Sequence, residues 1–181
     1  SPRCSLILTS LQGTLRTAPM SASGSVQCIP GKWVFKDVEA QIAKNHIQFD
    51  GHLGRKTRFD WNVSAPELDT LWPELSGALD SRGSLELDGV NPVARFGLHA
   101  ADLHYRNYAI ATLDTEVAMN NATQTGDASF KASGIVIDDV DITQLTAHAN
   151  GSLRAHSLQL KLDSSLGKAA FTPEGNFAND T

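Results

Sequence analysis

Cysteine, aromatic residues and long apolar runs are all scarce in these 181 residues. The two cysteines, Cys4 and Cys28, are too few for a disulfide-built scaffold, and no Cys-x-x-Cys is available for zinc or redox chemistry. The longest wholly aliphatic runs are Leu6-Ile7-Leu8 and Ile135-Val136-Ile137. A membrane helix needs roughly 17–25 mostly apolar residues, so none is encoded here. Positive charge is also short: 15 Lys and Arg stand against 20 Asp and Glu, a net charge of −5. That balance gives no electrostatic reason to bind nucleic acid or anionic headgroups. The opening Ser1-Pro2-Arg3-Cys4 lacks the apolar stretch of a signal peptide. The expectation is either a cytoplasmic chain or a piece excised from something longer, folded as one domain over residues 1–181.

Catalytic signatures are missing too. There is no Gly-x-Ser-x-Gly elbow, no His-Glu-x-x-His pair and no glycine-rich phosphate loop. The chain is expected to be no enzyme, with no catalytic residue, no metal and no cofactor. His46 and His52 share the wet face of their strand with Gln48 and Asp50, while His99 and His148 alternate with apolar neighbours and point outward. A metal needs three or four converging ligands, and these do not converge. Asp138-Asp139 reads as a turn between Ile137 and Val140. Asn-x-Ser/Thr triplets begin at Asn62, Asn121, Asn150 and Asn179; in a chain this rich in Asn, Ser and Thr they read as coincidence.

What is present is alternation. Phe59, Trp61, Val63 and Ala65 alternate with Arg58, Asp60, Asn62 and Ser64, the pattern of a strand with one dry and one wet face. The same pattern recurs through Met20–Cys28, Ile47–Leu53, Leu79–Leu87, Phe96–Ala100, Leu113–Met119, Ala128–Ala132, Leu145–Ala149 and Leu158–Leu162. Gly, Pro, Asn and Asp punctuate these segments at the spacing of an antiparallel meander. The fold class is all-β. One stretch departs from it: Leu68, Leu71, Trp72 and Leu75 fall at helical spacing. They predict one helix over Pro66–Leu75, shortened or kinked by Pro73, covering an open end of the sheet. Cys4 and Cys28 each lie in a strand-like stretch. They are either two small buried hydrophobes or, in an oxidising compartment, a cross-strand disulfide.

Residues 75–92 carry a more specific pattern. Leu75-Ser76-Gly77, Leu79, Gly83, Leu85, Leu87, Gly89 and Pro92 resemble a recurring motif of the TamB family. So does the preceding stretch from Phe59-Asp60-Trp61 through Ala65-Pro66 and Leu68 to Leu71-Trp72-Pro73 and Leu75, and the following one through Leu98, Ala100, Leu103, Tyr105, Tyr108, Ile110 and Leu113. Ser81 stands where many relatives have Gly. The resemblance implies an elongated, curved antiparallel sheet forming an open apolar groove, kin to the AsmA-like and bridge-like lipid transfer proteins. It also implies a periplasmic segment of an inner-membrane-anchored protein that works with the outer-membrane barrel TamA.

Two functions follow as expectations. In the first, phospholipid acyl chains travel along the dry face, lined by Phe59, Trp61, Val63, Leu79, Leu85, Leu87, Phe96, Leu98, Leu113, Val117, Leu158 and Leu160. An uncovered trough of that length exceeds the apolar area a soluble surface normally exposes. In the second, the module scaffolds nascent outer-membrane β-strands by edge pairing. A closed sandwich without ligand is the plainest alternative. An excised sheet also leaves unpaired strand edges, so edge-to-edge self-association is expected.

Overall fold

The computed structural model describes residues 4–88, 91–120, 125–152 and 155–175. The sequons at Asn121 and Asn179, and Gly89 of the motif, lie outside them. One sheet accounts for nearly everything described. Its strands are β1 (Cys4–Leu15), β2 (Ala18–Ile29), β3 (Lys32–Ile42), β4 (Asn45–Gly54), β5 (Lys56–Ala65), β6 (Leu75–Asp88), β7 (Asn91–Tyr105), β8 (Tyr108–Asn120), β9 (Thr125–Ile137), β10 (Val140–Ser152), β11 (His156–Ser164), β12 (Gly167–Phe171) and β13 (Glu174–Gly175). Strands β1 to β12 pair in chain order, each antiparallel to the next, and β13 pairs with β11. The sheet is an open meander with β1 at one edge.

Tight hairpins make this order cheap to reach. Leu15 and Ala18 are joined through Arg16 and Thr17 alone, both at positive φ (50° and 84°). That conformation matches the twist of the flanking strands. Asp138 and Asp139, expected at a turn, form the two-residue link between β9 and β10, and Asp138 has φ 49°. Cys4 and Cys28 are register partners with Cα atoms 4.9 Å apart, and a disulfide joins them.

The helix is shorter than its sequence pattern predicts. Only Leu68–Leu71 form α1, a single turn. Trp72 leaves the helix in extended backbone (φ −140°, ψ 111°) ahead of Pro73, because the residue before a proline is pushed out of the helical region. What fixes this segment is the sheet rather than helical propensity. The Asn45 side chain, 1% exposed, donates to Glu67 O (2.9 Å) and Thr70 Oγ1 (2.6 Å) and accepts from Glu67 N–H (3.0 Å). From the neighbouring hairpins, Lys44 pairs with the Glu67 carboxylate at 2.5 Å, Arg16 donates to Leu71 O at 3.2 Å, and Arg106 pairs with Glu74 at 2.8 Å. The Lys44 ammonium is held above its ordinary pKa by its hydrogen bond to Glu67 and then by the charge of that carboxylate.

There is little core. Among the described residues the buried apolar ones are Ala65, Leu68, Ala94, Ala100, Ala132 and Ile135, mostly alanines. The chain exposes 12233 Å², against about 8500 Å² for a compact monomer of this mass. A second packed layer would remove much of that excess, and the described residues supply none.

Candidate functional site

Register partners in a sheet point to the same side and alternate along each strand, so the pairing fixes which residues share a face. One lateral row runs Phe49, Trp61, Gly83, Phe96, Val117, Ala128, Ala149, Leu158 from β4 to β11. The next runs Ile47, Val63, Ser81, Leu98, Thr115, Phe130, Ala147, Leu160 and ends on Phe171. A third runs Ala65, Leu79, Ala100, Leu113, Ala132, Leu145, Leu162. No charged side chain interrupts any of them. Phe59 and Leu85 pair in a fourth row, and Leu87 lies one step beyond it opposite Thr57. The twelve residues expected to line the dry face therefore all fall on one side of one sheet. Leu87 and Leu160 are 36% and 37% exposed, and the other ten are half-buried.

Aromatic rings gather on this face at β3 to β7. Phe49 stacks on Phe59 with centroids 5.0 Å apart, and Phe35 meets them at 5.6 and 6.2 Å. Trp61 and Phe96 approach to 6.1 Å across β6. Gly83 makes that approach feasible: a Cβ there would lie 2.3 Å from Phe96 Cβ and 2.6 Å from Trp61 Cζ2. The Trp61 indole N–H is spent on Ser81 Oγ (3.1 Å), whose hydroxyl donates to Gly97 O (3.1 Å). Ser81 thus takes up the one polar group that Trp61 brings to the apolar face.

Two lining residues stand outside the twelve, and one of them escapes a reading of alternation. Phe49 belongs to the dry pattern of β4 yet stands outside the twelve, and Phe35 falls out of phase with Val38, Ala40 and Ile42. Phe35 pairs with Gly51 and Val38 with Phe49, so β3 carries one residue more than β4 between them. The extra residue is a β-bulge at Asp37, which has φ 50° and whose N–H donates to Asp50 Oδ1 at 2.7 Å. Two apolar residues spaced three apart flanking an Asp are the sequence signal.

The opposite face is built otherwise. His99 meets Asp114 at 2.6 Å, His148 meets Asp127 at 3.4 Å, and His46 contacts Glu39. Arg58 pairs with Asp60 at 3.0 Å and Lys56 with Asp88 at 2.7 Å. Hydrogen bonds to these carboxylates, and then their charges, raise the pKa of Lys56 and Arg58. A shallow depression of about 300 Å³ over Gly97 is bordered by Asn62, Asp80, Arg82, His99, Asp114 and Glu116, cations and carboxylates mixed on a solvated surface. Among the described residues no group of three or more His, Cys, Asp or Glu is placed to hold a metal. No helix among them is long and apolar enough to cross a membrane.

The family model of the TamB N-terminal domain matches residues 3–181. The chain belongs to the TamB N-terminal domain family. It is similar to the translocation and assembly module subunit TamB of Haemophilus influenzae, 24% identical over 154 residues. That match covers 84% of the chain but only 11% of the relative. No solved structure matches the chain.

Proposed function

We propose that this chain is one periplasmic segment of a longer, inner-membrane-anchored TamB protein, and that its apolar face shields phospholipid acyl chains in transit between the two membranes. The carrying observation is the run of lateral rows from β4 to β11 without a charged side chain and without a covering layer. Such a face lowers the cost of holding hydrocarbon in an aqueous compartment by about 25 cal/mol for each Å² of apolar surface removed from water. It suits hydrocarbon better than a polypeptide laid across it, because backbone N–H and C=O groups would find few partners there. Curling of the sheet into a groove would deepen the shelter, and the groove is part of this proposal.

A second reading places the chain in the translocation and assembly module beside the barrel TamA, pairing its backbone with nascent outer-membrane strands. The two readings separate on Leu85→Arg. Acyl-chain shielding predicts a folded protein with much less bound phospholipid, since the charge must be desolvated by each passing chain. Backbone strand pairing predicts unchanged lipid content in the folded variant, and that result would remove Leu85 from the path.

A further inference from the structure

A line of extra residues crosses the middle of the sheet. In β6, Leu75 and Leu79 are four residues apart, yet their partners in β7, Tyr105 and Ala100, are five apart. The surplus persists through β8 and β9, where Tyr108 to Leu113 faces Tyr105 to Ala100 on one side and Ile137 to Ala132 on the other. It persists in β10 and ends at β11, where Ile142 and Leu145, three apart, pair with Ser164 and Leu162, two apart. Each of the four strands β7 to β10 thus carries one residue more than the strands flanking them. The residues without register partners are Asp102, Ala111, Gly134 and Thr143, side by side.

The backbone there is turned rather than pleated. Asp102 and Gly134 have φ 51° and 55°, and a Cβ on Gly134 would come within 2.7 Å of Ala111 Cβ. Bulges bend a strand and increase its twist, and four of them in register bend a sheet. They also reset the phase, so that Leu103, Ile110, Ile135 and Ile142 share the face of Ala100, Leu113, Ala132 and Leu145. The apolar face therefore continues past the line instead of turning to the wet side.

We propose that this line is a fold line, and that Leu103, Ile110, Ile135 and Ile142 form a side wall of the acyl-chain path whose floor holds Leu98. The proposal rests on the acyl-chain reading of the apolar face. The wall extends over the four bulged strands, about 14 Å between the first and the last. Its occupant is hydrocarbon, because the four wall residues are aliphatic and the floor rows they continue carry no charge.

A photocrosslinking residue placed singly at these positions in the full-length protein tests this. The probe is phosphatidylethanolamine and phosphatidylglycerol vesicles, with Leu98 as floor reference and Ser129 as polar-face background. The expected result is phospholipid adducts at Leu103, Ile110 and Ile142 within about threefold of Leu98, and none above background at Ser129. Adducts at Leu98 with wall positions at background would overturn the fold line and leave the path standing. Background at Leu98 as well would overturn both, and polypeptide adducts in place of lipid would overturn the occupant. Gly134→Ala is the second arm: it should reduce wall adducts at least twofold while Leu98 is unaltered, and equal loss at both positions would contradict a local bend.

Discussion

The two faces of this sheet share every strand and every backbone hydrogen bond, yet they are held by different physics. On the polar face, pairs such as His99–Asp114 and Arg58–Asp60 sit in water, where an ion pair contributes about 0–1 kcal/mol. On the apolar face, stacked rings and overhanging aliphatic chains bury alanines beneath them: Ala100 and Ala132 are fully buried while flanked by half-exposed leucines. The difference teaches that a single sheet can shelter its own backbone without a second layer, provided small residues lie under larger ones. It also leaves the larger ones free to meet a guest.

The two largest tests of that contrast are Gly83→Val and Ala100→Asp. The side chain added at Gly83 would press on Phe96, Trp61 and the Arg95 carbonyl, the last 2.8 Å from the Cβ. Overpacking against ring and backbone costs about 3 kcal/mol or more, read as a lowered urea midpoint. Ala100→Asp buries an unpaired carboxylate under Leu79 and Leu113 and should largely unfold the domain. Leu98→Asp, one row away, should remain folded by circular dichroism, since its carboxylate reaches water on an uncovered face. Equal unfolding by both would mean that the apolar face is closed.

Asn45→Ala falls in the middle. It strands the Glu67 N–H, while the Glu67 carbonyl still accepts from Thr70, at about 1–3 kcal/mol, and hydrogen exchange should rise across Glu67–Leu71 while β7 to β10 stay protected. Asp114→Asn on the polar face should alter stability by no more than about 0.5 kcal/mol, and less in high salt. The smallest effect is alkaline. Lys44 and Lys56 have folded pKa values raised by Glu67 and Asp88, so their contribution is present below the ordinary lysine value of about 10.4 and is lost as pH rises through the folded values. Their part of the stability should be flat from pH 7 to 9 and decline only above about 10.5.

Much of this is legible in the sequence alone. Strict alternation such as Phe59-Asp60-Trp61-Asn62-Val63 announces both strand and face, and the register keeps those residues together because partners cannot change sides without a slip of one residue. The segment after Ala65 was legible as helical spacing but not in length: Pro73 and the clamp from Asn45, 22 residues earlier in the chain, decide where it stops. The bulges were the part that alternation hides. Ala100-Ala101-Asp102-Leu103 and Ala132-Ser133-Gly134-Ile135 read as breaks in the period, and only the pairing reveals that each break preserves the face. A reader of β sequences gains from treating an apolar pair three apart, with Asp or Gly between, as one continuous dry face.

The most direct measurement is native mass spectrometry of the protein after gentle extraction, beside the Leu98→Asp variant. The account predicts co-purified phospholipid on the wild-type chain, with mixed headgroups because the apolar rows present no charge to select among them, and its loss from a folded Leu98→Asp protein. A lipid-free wild-type protein, or a folded Leu98→Asp protein carrying as much phospholipid as wild type, would contradict it.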